Sequence, residues 1–274
     1  MRLIVLILAL AGAAQAQQAP SEARPAKPKW ELGVATLGIS QQAYPGSDQQ
    51  VNRAAAVPYF IYRGEWLRAD EDGTGLRALR TENFELDLSV AGSLGADRGG
   101  LRAREGMPRL GTLVELGPLA VWKLGEAPGN GKLKFELPVR AVFDLSDGGS
   151  HKGWAAEPEL IYQRRSAGGW RTSFSGSLVF GDRELGDTFY GVAPRYARAN
   201  RPAYAAKAGF LTTRLSASFS KSLGRDWQMF GFTRFDSVAG AANKASPLVR
   251  DTNGFSFGLG VSYTWLRSSE AGSD

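Results

Sequence analysis

The chain has 274 residues, with 33 Lys+Arg, 27 Asp+Glu, 34 Gly, a single His and no Cys. Without Cys and with only His151, it can build no disulfide, no Cys/His zinc or iron–sulfur site, and no catalytic scheme that needs a thiolate or two imidazoles. The formal charge of +6 is spread singly among acids and apolar residues, which argues against a nucleic-acid footprint, and 43% hydrophobic with 11% aromatic residues argues against a disordered chain.

The first element is Arg2 followed by the unbroken apolar run Leu3 to Ala14, ending in Ala14-Gln15-Ala16. A charged start, a short apolar stretch and small residues at the end spell a secretory signal peptide over 1–16, since a membrane-spanning helix needs roughly 20 apolar residues. Residues 17–29 carry Pro20, Pro25 and Pro28, no large apolar residue, and the cations Arg24, Lys27 and Lys29, so they read as a flexible, unpacked periplasmic arm. No later stretch is as continuously apolar. Entry into a membrane would therefore have to be by strands.

From Trp30 onward the pattern has period two. In 84–94, Phe84, Leu86, Leu88, Val90 and Leu94 alternate with Glu85, Asp87, Ser89, Ala91 and Ser93, and only a strand puts those sets on opposite faces. The stretches 133–143, 170–180 and 255–265 repeat the pattern, and aromatic residues (Trp154, Tyr162, Trp170, Phe180, Phe255, Trp265) stand near the ends of the apolar face. Runs this long suit tilted strands crossing a bilayer, which need about nine to eleven residues, better than the shorter strands of a soluble β-sandwich, the alternative reading. Twelve strands are predicted: 30–41, 51–62, 65–70, 75–80, 83–95, 108–116, 132–144, 153–166, 169–181, 205–223, 226–237 and 254–266. Short turns (Arg63-Gly64, Thr81-Glu82, Ala167-Gly168, Gly224-Arg225) alternate with long loops (44–50, 96–107, 182–204, 238–253), as in outer-membrane barrels, whose short turns face the periplasm. The segment Gly117–Gly131 is long where a short turn is due. The expected fold is all-β: a transmembrane antiparallel up-and-down β-barrel of about twelve strands, within a range of ten to fourteen, spanning 30–266, with a tail at 267–274.

Tyr44-Pro45-Gly46-Ser47-Asp48 followed by Pro58-Tyr59, then Asp187-Thr-Phe-Tyr-Gly-Val192, then Ser246-Pro-Leu-Val-Arg250, occur in that order along the barrel pattern. In these motifs the chain resembles the MltA-interacting protein (MipA)/OmpV family of Gram-negative outer membranes. The resemblance implies a cell-outer-membrane scaffold that brings a lytic transglycosylase together with a peptidoglycan synthase in cell-wall remodelling. It also admits a porin-like channel or a stress-responsive surface protein. Outer-membrane chains commonly end in an aromatic residue that the assembly machinery reads, whereas here Trp265 is followed by nine further residues.

The residues themselves offer little catalytic chemistry. Ser150 and His151 could suggest a barrel lipid hydrolase, a distant alternative, but adjacent strand residues point to opposite faces. The carboxylates Glu157 and Glu159, or Glu85 and Asp87, could be paired for glycoside chemistry, yet a lumen offers no open sugar cleft. Six inward acids (Glu85, Asp87, Glu136, Glu157, Glu159, Asp236) against six inward bases (Lys132, Lys134, Arg140, Arg171, Arg214, Arg234) imply a narrow or occluded lumen. Pro45-Gly46 fits the middle of a type II turn, with Ser47 and Asp48 available to the local backbone, so Tyr44–Asp48 is both a structural turn and a candidate binding loop. Arg183, Arg195, Arg198 and Arg201 are candidates for lipopolysaccharide phosphates. Arg24, Lys27 and Lys29 are candidates for docking an acidic periplasmic partner. The expected partners are therefore outer-membrane lipid and lipopolysaccharide, with the two peptidoglycan enzymes; no nucleic acid, cofactor, metal or catalytic residue is expected.

Overall fold

A computed structural model describes residues 27–64, 67–70, 73–93 and 100–272. The signal segment 1–16 and most of the arm, Arg24 included, lie outside the described residues. The strands are β1 (Trp30–Gln42), β2 (Gln50–Arg63), β3 (Leu67–Asp70), β4 (Gly73–Arg80), β5 (Phe84–Ser93), β6 (Leu113–Ala127) and β7 (Gly131–Asp144). They continue as β8 (Ser150–Ala156), β9 (Glu159–Arg165), β10 (Trp170–Gly181), β11 (Gly209–Ser222), β12 (Trp227–Ser237) and β13 (Asn253–Arg267). Each pairs antiparallel with its neighbours, and β13 pairs with β1, closing the sheet into a barrel.

β8 and β9 are two halves of one stave. Both pair with β7 on one side and with β10 on the other, so the barrel has twelve staves. The break falls at Glu157-Pro158, because proline has no N–H for the ladder. The neighbouring staves still use the break: Glu157 N donates to Pro138 O and Leu178 N to Pro158 O, each at 3.2 Å.

Two expected boundaries are corrected. The sixth strand runs over Leu113–Ala127 rather than 108–116, so Gly117–Gly131 is mostly wall and only Pro128–Asn130 turns. Gly117-Pro118 is absorbed where the β6–β7 ladder skips from Leu116↔Ala141 to Leu119↔Pro138. The tenth expected strand, 205–223, is β11 and starts at Gly209 rather than 205, its first expected residues belonging to the preceding loop.

The turns at 81–83, 128–130, 166–169 and 223–226 lie on one rim, together with both ends of the barrel, and the loops at 43–49, 100–112, 182–208 and 238–252 lie on the other. The period-two reading holds on β13. In β13, Phe255, Phe257, Leu259 and Trp265 are exposed on the outer face, while Ser256, Gly258, Gly260 and Thr264 are buried on the inner one. Outer aromatics form two belts. Near the short-turn rim Phe84, Trp122 and Phe135 stack across three strands at 5.2 and 5.6 Å, and Trp227 meets Tyr263 at 4.9 Å. Near the long loops Phe180 meets Phe210 at 5.8 Å, and Phe255 meets Phe257 at 6.3 Å. An apolar band between two aromatic girdles is what a bilayer demands of a closed strand wall.

The end of the expected arm is tied down. Lys29 N donates to Glu270 O and Gly272 N to Lys27 O, each at 2.8 Å, and Pro28 bridges Ala271. Lys29 Nζ lies 3.0 Å from Glu270 Oε2, and Arg63, almost fully buried, reaches Pro28 O at 2.9 Å and Glu31 Oε1 at 2.6 Å. Residues 27–29 and the tail up to Gly272 therefore extend the β1–β13 seam beyond the wall.

Candidate functional site

The three motifs, remote from one another in sequence, meet in a cap over the long-loop mouth. Ser47 N donates to Tyr44 O at 2.9 Å and Gly46 has φ +97°, the hydrogen bond and left-handed residue of a type II turn. The Ser47 hydroxyl accepts from Gln49 N at 3.1 Å, and the exposed Asp48 carboxylate lies 3.4 Å from Arg102. The turn presents its carbonyls to the other two motifs. Gly46 O accepts from Arg250 N and Asp251 N at 2.7 and 3.1 Å, and Pro45 O accepts from the Tyr190 hydroxyl at 3.0 Å. Tyr44 donates in turn to Leu248 O at 2.7 Å, and the Ser246 hydroxyl donates to Tyr190 O at 2.7 Å.

Tyr190 ends the helix α1 (Arg183–Tyr190), whose start is capped by Asp182 Oδ1 accepting from Leu185 N at 2.9 Å. Tyr44, Leu110, Leu113, Val142, Leu185, Tyr190 and Leu211 form the apolar centre beneath these bonds. Burial pushes the Tyr44 phenol up to about 12 and raises that of Tyr190 as well, since a phenolate there would lose its water.

Arg104, Arg201 and Asn243 fasten the loops, and sequence reading missed the structural role of all three. Arg201, 6% exposed, donates from Nη1 to Ala103 O and Glu105 O at 3.0 Å each and from Nη2 to Tyr196 O at 2.8 Å. It is therefore a tie between two loops and not a cation held out for phosphate. Arg104 donates to Phe189 O at 3.0 Å. Asn243, fully buried, accepts from Lys207 N and donates to Lys207 O at 2.8 Å each. Of the other loop arginines, Arg198 pairs with Glu105 at 3.2 Å, Arg195 lies 4.9 Å over the Tyr196 ring, and Arg183 is exposed. A cavity of about 590 Å³ opens between the loops, lined by Arg104, Arg109, Asp144, Lys152, Asp187 and Tyr204 among others.

Below the cap, inward charges pair across one side of the lumen. Arg214 lies 2.9 Å from both Glu157 and Asp236, and Arg234 Nε lies 2.9 Å from Asp236 without hydrogen-bond alignment. Arg140 touches Glu115 at 3.6 Å and donates to the Ser89 hydroxyl at 3.1 Å; Lys134 pairs with Glu136, and Lys123 with Glu85, at 2.6 Å each. Lys123 lies beyond the expected end of the sixth strand at 116 and so escaped the sequence inventory, whereas Glu115 lies inside that expected strand and was not counted. Ser150 and His151 part company: Ser150 donates to Asp147 at 2.8 Å, while His151 Nδ1 sits 3.2 Å from Glu184. The nucleophile–base contact a hydrolase needs is not formed between them.

A closed twelve-stave barrel, lipid-facing outside and charged within, with aromatic girdles at both rims, defines an outer-membrane β-barrel protein. Residues 32–265 match the family model described as MltA-interacting protein MipA, and the chain belongs to that family. It resides in the cell outer membrane. No curated protein matches the chain. Among solved structures it resembles an outer membrane channel from Pseudomonas putida F1 at 12% identity and TM-score 0.35, covering 92% of this chain and 100% of that one. It also resembles the NanC porin at 9% identity and TM-score 0.37, covering 86% of this chain and 99% of that one. Pseudomonas putida OprB is similar at 8% identity and TM-score 0.34, covering 89% and 100% respectively.

Proposed function

We propose that this chain is a non-catalytic scaffold of the outer membrane, holding a lytic transglycosylase and a peptidoglycan synthase at its periplasmic rim. The observation that carries the reading is where the family motifs are spent: Tyr44–Asp48, Asp187–Val192 and Ser246–Arg250 knit the long-loop cap and Pro58-Tyr59 stands in the β2 wall, leaving the short-turn rim as the face a periplasmic partner can reach. That rim is rich in cations. Lys27, Lys29, Lys132, Arg164, Arg165, Lys221 and Arg225 stand around it. A basic rim suits an acidic partner face, with an affinity that falls as salt rises. The family name supports the identity of one partner, a protein called MltA.

The test is co-purification from native outer membranes. The full chain is expected to retain both peptidoglycan enzymes at low salt and to release them at high salt. Deleting 19–26 removes Arg24 and leaves the Lys27–Lys29 seam; combined with Arg164→Glu and Arg225→Glu, it should weaken capture while the barrel still assembles. Capture that survives those changes but is abolished by substitutions in 182–204 would put docking on the wrong rim.

A further inference from the structure

The wall is low at one place. β3 pairs with β2 through only Tyr62↔Ala69 and Arg63↔Arg68, whereas β2 continues from Tyr62 up to Gln50. The chain could not have built more there: twenty residues separate Arg63 from Phe84, fewer than two bilayer-crossing strands of about nine to eleven residues with their turns require. Among the described residues, no strand stands between the upper part of β2 and the top of β5, whose ladder with β4 ends at Gly75↔Ser89.

The lumen lining beside this low wall departs from the usual alternation. On β1 the inward residues are Ala35, Leu37 and Ile39, registered with Val57, Ala55 and Arg53 of β2 and with Ser262, Gly260 and Gly258 of β13. The outward residues of the same strands include Thr36, Gly38, Ser40, Asn52, Ala54 and Ala56. Polarity is thus partly inverted. Next round the wall, Phe230 and Phe232 of β12 point inward, and their rings fill the space that side chains at Gly260 and Gly258 would occupy. A largely apolar lining, with Ser262 and Arg53 at its edges, therefore runs across β12, β13, β1 and β2 to the low wall. Along β12 it is followed, toward the cap, by Arg234 and Asp236, and Arg234 Nε–H has no hydrogen-bond acceptor.

We infer that the lumen is reached sideways, from the outer leaflet, by an amphiphile with a single alkyl chain and a carboxylate head. The chain lies on Phe230, Phe232, Leu37 and Val57, and the head meets Arg234. The cap covers the long-loop mouth, the lateral wall is low among the described residues, and the apolar lining begins at that wall. Each of these features is independent of the scaffold reading.

The absence of native cysteine makes the test clean, because one introduced thiol is the sole target. In proteoliposomes, N-dodecylmaleimide, which partitions into the bilayer, should label Val57→Cys within about threefold of the lipid-facing Phe60→Cys, and at least tenfold faster than Ser173→Cys on the opposite inner wall. The unmodified chain should bind 11-(dansylamino)undecanoic acid saturably with a blue-shifted emission, and Leu37→Ser should weaken that binding about tenfold, the loss expected for one large apolar contact. Labelling of Val57→Cys no faster than Ser173→Cys overturns the lateral route, and absence of saturable binding by the unmodified chain overturns the ligand.

Discussion

Single side chains decide whether the cap stays shut. The Tyr44 hydroxyl reaches Leu248 O and the Tyr190 hydroxyl reaches Pro45 O, each with its ring buried. Tyr190→Phe keeps the ring and strands a buried carbonyl, which costs about 1–3 kcal/mol. A lower temperature for the heat-induced mobility shift on gels, with an unchanged barrel circular dichroism spectrum, is the expected outcome. The same burial sets a pH dependence. With the folded Tyr44 pKa raised from 10.0 to about 12, the folded state holds its proton longer than the unfolded one. The associated stability is complete below pH 10 and is lost as pH rises toward 12, so protease access to the cap should increase across that window. Tyr44→Phe should remove its share of the rise. Lower in the lumen, Asp236 is 3% exposed and faces both Arg214 and Arg234, so Asp236→Asn leaves two partly exposed guanidinium groups sharing fewer carboxylates. Losing a charge-assisted hydrogen bond of this partly solvated kind costs about 1.5–3 kcal/mol, and denaturant titration of the folded, gel-shifted form should register a loss of that order.

At the scale of elements, the helix α1 sits on the barrel wall through a glycine. Gly153 in β8 has φ +108°, and a Cβ there would collide with Asp182 Oδ1 and Leu185 N, the two atoms of the helix cap. Gly153→Ala should therefore displace α1, and with it Tyr190, at a cost of about 1–3 kcal/mol for the strained backbone alone. Faster proteolysis at Arg183 with the barrel still heat-modifiable would report it. The walls were legible in the sequence because lipid outside and charge inside impose period two on each long strand, so β5, β7, β10 and β13 fall close to where alternation placed them. Alternation fails where proline and glycine sit inside a wall. The expected strand 153–166 ran straight through Pro158, which in fact divides it into β8 and β9, and the sixth strand, expected to end at 116, continues through Gly117-Pro118 with only a skipped step in its ladder. The turn Tyr44–Asp48 was legible because its geometry is local, a proline and a glycine held by one hydrogen bond. The roles of Arg104, Arg201 and Asn243 were not, since each depends on carbonyls supplied by a loop distant in the chain.

For the whole molecule, the arrangement is a tube closed differently at different heights. The cap seals the long-loop mouth through backbone carbonyls bound by buried side chains, and the Arg214–Glu157–Asp236–Arg234 network spans one side of the lumen beneath it. Because that network carries acids and bases in opposition, it offers no single-sign ring to draw one kind of ion through. The purified protein in planar bilayers should therefore show low or undetectable conductance. The tie with most to lose is Arg201, whose guanidinium joins the loop carrying Ala103 and Glu105 to the loop carrying Tyr196. Arg201→Met retains the length of the side chain and removes every donor, so both loops should part while the walls, held by their own ladders, stay intact. Frequent short openings by Arg201→Met, against a quiet unmodified protein, are the expected record. Large steady openings by the unmodified protein would show instead that the cap does not seal the mouth, and an Arg201→Met protein as silent as the original would place the main barrier in the charged lumen below.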